Sequence, residues 1–362
     1  MMPFVAALLT IALRDRPLPL RTLIITFLSY ALLSLSVVYH VKYLIGNTYE
    51  PETANILAQL AAESQLPHNL HLVSVLAQCL NFFRYIFFWL VPLTSRMSID
   101  MQQSIVDTTA QPLYWIAAAA YIAWCLVGFA LVWKKGMPAL LGFAMAAPAL
   151  FFATEFASIR LQEPFVLYRS YLWAPALFAA TPLLLLQFRP QSALFIGAMV
   201  GAGLAALSYQ RLATFDSPYV LWNEAIRLNE KENIKTPMLA RPYTNRGLAL
   251  LKAKHPKDAL ADFDRAISYS HKYIIAIQGR GIALMRLNRY TDAKASFDQA
   301  LAIRPDFILA LLARSDACSK MGDQTCADND LKKACQLGAP FACYLLHKQE
   351  HPEDKTFSLR MK

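Results

Sequence analysis

Two arrangements of apolar positions divide the chain. Up to about residue 213 the apolar residues come in long runs broken by short polar stretches. Beyond it they recur three and four apart, which is the spacing of amphipathic helices. The runs at 22–41, 113–133, 139–158, 171–188 and 193–212 have about the length that crosses a bilayer as a helix. Residues 1–13 have the composition of the end of a further spanning helix whose beginning is absent, with no basic start and no small-residue cleavage site to mark a signal peptide. The run at 72–93 carries Asn81 and Arg84 in its middle among many aromatics, which predicts an interfacial or re-entrant helix. The expected architecture is all-α: a polytopic transmembrane helical domain over 1–213, an α-solenoid over 214–350 and a tail over 351–362.

The solenoid announces itself by repetition. Gly247, Ala259, Phe263 and Ala266 recur 34 residues later as Gly281, Ala293, Phe297 and Ala300, with no gap in the alignment. A 34-residue period with small, small, aromatic and small residues in that order is a tetratricopeptide (TPR) signature. The glycine and the first alanine let two antiparallel helices approach, and Phe263 and Ala266 share one helix face toward the next repeat. Ser315, Ala327, Leu331 and Ala334 continue the register in a degenerate form. Upstream, Trp222 and Ala225 fit the second helix of a partial unit. The expected units are a partial one at 216–239, repeats at 240–273 and 274–307, a degenerate repeat at 308–341 and a cap at 342–350.

Composition sharpens the division. Hydrophobic residues make up 56% of the chain and the mean hydropathy is +0.32. Both are high for a soluble protein. The net charge of +10 is explained by basic residues at membrane edges. No interleaved basic and aromatic recognition motif is present, so nucleic acid is not an expected partner. Placing Lys and Arg loops in the cytoplasm puts Arg14–Arg21, Lys134–Lys135 and Arg189 inside. The loop bearing Glu155, Arg160, Glu163 and Arg169 then lies outside, as does the repeat domain. Parity on this scheme excludes a simple crossing by 72–93, in line with its polar centre. The expected location is the cytoplasmic (inner) membrane, with the repeats in the periplasm.

Six cysteines bear on the compartment. Cys79 and Cys125 lie in apolar segments as buried thiols. Cys318/Cys326 and Cys335/Cys343 form two pairs of equal spacing. Each pair straddles a helix–turn–helix corner in the repeat register, where Cα atoms approach within disulfide reach. Bridges Cys318–Cys326 and Cys335–Cys343 are therefore expected, and with them an oxidising compartment. The spacing does not suit a zinc site, and no metal is expected. The segment 335–343 with its flanks, KACQLGAPFAC, also resembles the cysteine-rich helical repeats of Sel1-like bacterial proteins.

No phosphate-binding loop, dinucleotide fingerprint, HExxH or nucleophile elbow occurs, and no cofactor is expected. The candidates for chemistry are ionisable residues at the outer membrane edge: Asp100 and Glu155 as carboxylates, Arg160 and Arg169 with Tyr171 as phosphate ligands. The order of Pro92, Ser98 and Asp100, then Glu155, Arg169, Tyr171 and Leu172, then Trp222 and Ala225 before the repeats, resembles the second half of TMTC-type protein O-mannosyltransferases of the GT-C glycosyltransferase class. The resemblance implies work on a polyprenyl-phosphate-linked sugar at the extracytoplasmic face. It also implies catalytic acids in a first outer loop, which this chain does not carry, so whether it is an enzyme is left open. The other reading is a membrane-anchored scaffold for envelope, pilus or polysaccharide assembly. It would hold a protein or peptide in the groove lined by the first helix of each unit. Arg241, Thr244, Asn245, Leu248, Gln278, Ile282 and Lys320 line that groove, and Arg241, Asn245, Gln278 and Lys320 are its candidate contacts.

Overall fold

In the computed structural model the described residues are Arg21, Ile25, Leu28, Ala61 and residues 69–93, 96–102, 108–157, 165, 173–180, 188–232 and 236–350. The expected helix at 1–13, nearly all of that at 22–41 and the tail at 351–362 lie outside them. Regular structure among these residues is helical, and a single antiparallel bridge joins Met101 to Phe165. The chain divides into two units, Met1–Phe215 and Asp216–Lys362.

The first unit contains α1 (Leu70–Leu90), α2 (Pro112–Val132), α3 (Met137–Phe152), a short α4 (Ala174–Leu177) and α5 (Pro190–Leu212). Helices α1, α2 and the segment Pro190–Phe215 are long and apolar enough to cross a membrane. Prolines at the first turn open α2, α3, α4 and α5, where a missing N–H costs nothing. Asn69 opens α1 by accepting a hydrogen bond from the Leu72 amide at 3.1 Å. That side-chain bond satisfies one of the amides a helix start leaves over. The α1 segment bears on the expectation of an interfacial or re-entrant helix at 72–93. A re-entrant element must reverse within the apolar layer, whereas 70–90 is one unbroken helix. Its central polar residues bond along the helix, and Arg84 is exposed. Asn81 is fully buried and donates to Gln78 Oε1, and Arg84 donates to Asn81 Oδ1, both at 3.5 Å.

Aromatic rings build the core of this unit. Phe82 of α1 is wholly buried. Its ring centroid lies 5.0 Å from that of Tyr121 in an edge-to-face contact and 5.3 Å from that of Phe152. Edge-to-face pairs of this kind set the positive ring edge against the negative face. Tyr121 donates to the Ala149 carbonyl at 2.7 Å and Trp124 to the Met145 carbonyl at 2.9 Å. Both polar handles are thus satisfied inside an apolar bundle, where an unpaired donor would be costly. Close crossing of α2 and α3 depends on glycine. A β-carbon at Gly142 would lie 2.7 Å from the Gly128 carbonyl oxygen. Small residues at such a crossing let two backbones approach. Helix α5 has no buried residue, and Leu194 and Phe195 are 77% and 68% exposed. A helix apolar on every side needs an apolar surrounding.

The second unit is a series of helical pairs: α6 (Pro218–Lys231), α7 (Ala240–Lys252), α8 (Pro256–Tyr269), α9 (Ile274–Arg286), α10 (Tyr290–Ile303), α11 (Ile308–Lys320), α12 (Gln324–Gln336) and α13 (Pro340–Glu350). The first helices α7, α9 and α11 begin at the same place in each repeat, and so do the second helices α8, α10 and α12. Each corner between a first and second helix closes in the same way. The second residue after the helix adopts positive φ, at Lys254, Asn288 and Gly322. The next amide then reaches back five residues, His255 to Leu250, Arg289 to Leu284 and Asp323 to Cys318, at 2.9–3.0 Å. Such a left-handed cap satisfies carbonyls that the helix end leaves over.

The aromatic residue of the repeat is a wedge between units. The Phe263 ring of α8 lies against Gly247 of its own unit and Gly279 of the next, and a β-carbon at Gly247 would approach its Cε1 to 2.9 Å. Phe297 of α10 lies against Gly281 in the same way, and Ala313 packs in its cluster at the position equivalent to Gly279. In the third unit Ser315 stands in the glycine position and Leu331 in the aromatic one.

Candidate peptide-binding face

Each first helix presents one stripe at spacings i, i+3, i+7 and i+11, which is a single helix face. On α7 it runs Arg241, Thr244, Leu248, Lys252; on α9 Ile275, Gln278, Ile282, Arg286; on α11 Leu309, Leu312, Asp316, Lys320. Thr244 is buried and donates to the Ala240 carbonyl. Gln278, Ile282 and Leu312 are half-buried, whereas Leu248 and Leu309 are 39% and 55% exposed. Partly exposed apolar side chains between polar ones give the face a mixed character suited to an extended chain.

Of the four candidate contacts, Arg241, Gln278 and Lys320 belong to this stripe. The Arg241 guanidinium lies 5.8 Å from the Trp222 ring centroid. The ring face attracts the cation, so the preceding helix steers its charge. Lys320 is exposed, and Gln278 lies between these two on the middle unit. Asn245 falls one position aside. It is equivalent to Gly279, which meets the second helix of the preceding unit, and it is half-buried.

Beside the face runs an ionic ladder that hydropathy reading alone does not show. Arg246, Arg280 and Arg314 recur with the repeat period, each just before the small residue of the wedge. Arg246 makes a bidentate pair with Asp262 at 2.6 and 2.8 Å and donates to Asn223 at 2.7 Å. The planar fork of the guanidinium matches a carboxylate, which makes this a strong and directional pair. Arg314 repeats the fork with Asp330 at 2.6 and 2.7 Å and adds Asp298 of the preceding second helix at 2.5 Å. In the middle unit Ser296 replaces the aspartate, and Arg280 donates to it at 3.0 Å and to Gln299 at 2.8 Å. The hydrogen bonds from Arg246 to Asp262 raise the Arg246 pKa, and those from Arg314 to Asp330 raise the Arg314 pKa, because they favour the charged form. Burial works to raise the Asp298 pKa, but hydrogen bonds from Arg314 and Lys294 outweigh it and leave it lowered. These arginines are held in place and join neighbouring helices, so they set the shape of the face. The signal in the sequence was the same recurrence, read one position before the glycine.

Cys318 is joined to Cys326 and Cys335 to Cys343, each across eight residues. The Asp323 carboxylate and the sulfurs of Cys318 and Cys326 lie within 4.8 Å of one another. The sulfurs are bonded to each other, and Asp323 Oδ1 accepts from the Cys326 amide at 3.0 Å. The group is therefore a capped and cross-linked corner.

The outer-edge candidates of the first unit fare differently. Arg160, Arg169 and Tyr171 lie outside the described residues. Asp100 is buried; its amide donates to Ser98 Oγ at 3.3 Å and its carboxylate accepts from Gln102. Glu155 is half-buried in the 3-10 turn Ala153–Ala157 after α3. The Met101–Phe165 bridge brings the segment of Asp100 beside Phe165.

Residues 276–307, close to the α9–α10 pair, match the family model of the tetratricopeptide repeat. No curated protein matches the chain. Among solved structures the chain is similar to the crystal structure of YrrB, a TPR protein with an unusual peptide-binding site, at 16% identity over 66% of this chain and 97% of that one, with a TM-score of 0.32. The family match and the helical pairs that recur in one register make the second unit a tetratricopeptide repeat domain.

Proposed function

We propose that this chain is a membrane-anchored scaffold whose repeat domain holds an extended segment of a partner protein on the first-helix face, outside the cytoplasm. The observation that carries the reading is the face itself. Three consecutive first helices display partly exposed apolar and polar side chains in one register, on a framework made rigid by aromatic wedges and arginine forks. Anchoring is supported by helices long and apolar enough to cross a membrane, and by α5, which is apolar all round. An oxidising, periplasmic setting is supported by the two disulfides of the repeat domain. The basic Lys134–Lys135 turn and Arg189, on the opposite side of the expected topology, support it too. The glycosyl-transfer reading rests on the resemblance alone; of its candidate residues the structure describes Asp100 and Glu155, and Asp100 is packed away from solvent.

Site-specific photocrosslinking in cells tests the scaffold. A crosslinker at Gln278 or Leu309 should yield discrete adducts, and one at the exposed second-helix positions Lys257 or Lys332 should not. Adducts of equal yield from both faces, or none from the first-helix face, would remove the reading. A reporter active only outside the cytoplasm, fused after Lys362, tests the placement separately, and silence there would reverse it.

A further inference from the structure

The last turns of α7, α9 and α11 carry Lys252, Arg286 and Lys320, at the same place in each repeat. All three are exposed, and none makes an ion pair among the described residues. A cation near a helix C-terminus is favoured by the helix dipole, which accounts for the sign of the charge. It does not account for the face. The last turn offers several positions, and in every unit the cation occupies the one four residues beyond Leu248, Ile282 or Asp316, on the first-helix stripe. Adjacent packed helices stand roughly 8–10 Å apart, so the three charges form a row with about that step. An extended peptide rises about 3.3 Å per residue, so every third residue matches the step.

We infer that the face selects an acidic, extended peptide segment carrying Asp or Glu at every third position, with apolar residues between them. The inference rests on the scaffold reading and adds a partner chemistry to it. The carboxylates pair with Lys252, Arg286 and Lys320, while the intervening side chains lie over Leu248 and Ile282, one turn back from Lys252 and Arg286; the equivalent position beside Lys320 is Asp316. Charge complementarity supports this occupant. Of the twelve stripe positions four are basic and only Asp316 is acidic, in a chain of net charge +10. Ion pairs at such exposed positions contribute little singly, so selectivity comes from three in register.

The test uses the full chain in a nonionic detergent and fluorescence anisotropy with three labelled peptides of equal length. One has Glu at every third residue, one has the same composition with the Glu residues clustered, and one has Gln in their place. The spaced peptide should bind about tenfold more tightly than the clustered one, Arg286→Glu should remove about tenfold, and both differences should shrink as salt rises. Equal binding of the spaced and clustered peptides, or no effect of Arg286→Glu, overturns the spacing rule while leaving the scaffold standing. Failure of all three peptides to bind overturns the acidic-peptide inference, and if Leu309→Asp also leaves the Gln278 photoadducts unchanged in cells, the scaffold reading falls with it. Binding of the cationic row to anionic phospholipid mixed into the micelles, with no peptide bound, would assign it to a lipid surface and overturn the proposal.

Discussion

The second and third helical pairs of the repeat domain solve one packing problem in two ways. In α9–α10 the joint is a wedge: Phe297 fills the space that Gly281 leaves, and it is completely buried. In α11–α12 both halves of the wedge are blunted, with Ser315 for glycine and Leu331 for phenylalanine. That pair is instead held by the Cys318–Cys326 bridge, and the Cys335–Cys343 bridge ties α12 to α13. The lesson concerns repeat ends. An inner unit is gripped on both sides by neighbours, so ring-into-glycine packing suffices. Beyond the third pair the described residues place a single helix, α13, and there covalent links that restrict the unfolded state stand in for buried ring area. The arginine fork is common to α7–α8 and α11–α12, and in α9–α10 Arg280 bonds to Ser296 and Gln299 instead.

The comparison can be broken from several sides. The largest effect is expected from Phe297→Ala, which empties the wedge and should cost about 3–5 kcal/mol. Hydrogen exchange over α9–α10 would show this as faster exchange there than in the first unit, and unchanged protection would refute the wedge. Replacing Cys318 and Cys326 together by Ser should cost about 2–3 kcal/mol in the chain-entropy account of so short a loop, with exchange rising in α11–α13 and little change in α7–α8. Thiol labelling of the denatured, unreduced chain should meanwhile modify Cys79 and Cys125 and spare the other four.

Leu331→Phe asks whether the third unit tolerates the ring its neighbours use. With Ser315 in place of glycine it should destabilise by about 1–3 kcal/mol, and adding Ser315→Gly should recover most of the loss. No recovery would mean that the two positions do not oppose each other in this unit.

A smaller effect concerns acid. Asp298 has its pKa lowered in the folded state, so its contribution is present above the unfolded value and is lost as pH falls through the lowered folded value. The side chain is 42% exposed. Solvent screening therefore limits the pair, and Asp298→Asn should cost at most about 1 kcal/mol at neutral pH. It should also flatten the acid limb of a thermal unfolding profile below about pH 4. The smallest change should be a gain. Lys254 has φ +64°, where the third unit has Gly322 at φ +81°. A residue with a β-carbon is strained there, so Lys254→Gly should stabilise by about 0.5–1 kcal/mol in the same exchange measurement.

Much of the repeat domain could be read from the chain alone. Gly247, Phe263, Gly281 and Phe297 show the period, and the equal spacing of Cys318/Cys326 and Cys335/Cys343 follows it around two corners. Such features are local or periodic, and helix geometry converts spacing into position. The candidate face has the same origin: Arg241, Gln278 and Lys320 share a stripe because helices have a fixed turn, whereas Asn245 lies one position aside, equivalent to a glycine that meets another helix.

What the sequence by itself determined is therefore the helical register: which residues share a face, where pairs begin and where the apolar runs lie. Tertiary structure alone decided which faces meet. That Phe263 presses on Gly279 of the following unit as well as on its own Gly247 depends on how two units stack. That Arg314 divides its fork between Asp330 and Asp298 depends on three helices meeting. In the first unit no period guides the eye, and the meeting of Phe82, Tyr121 and Phe152 across three helices left no trace in spacing. It also showed α1 as one continuous helix, with Asn81 and Arg84 hydrogen-bonded along it. The physical reason is common to all of these. Periodicity encodes short-range geometry, whereas packing and polar pairing are satisfied between residues far apart in the chain, and only the folded arrangement shows which partner each group has found.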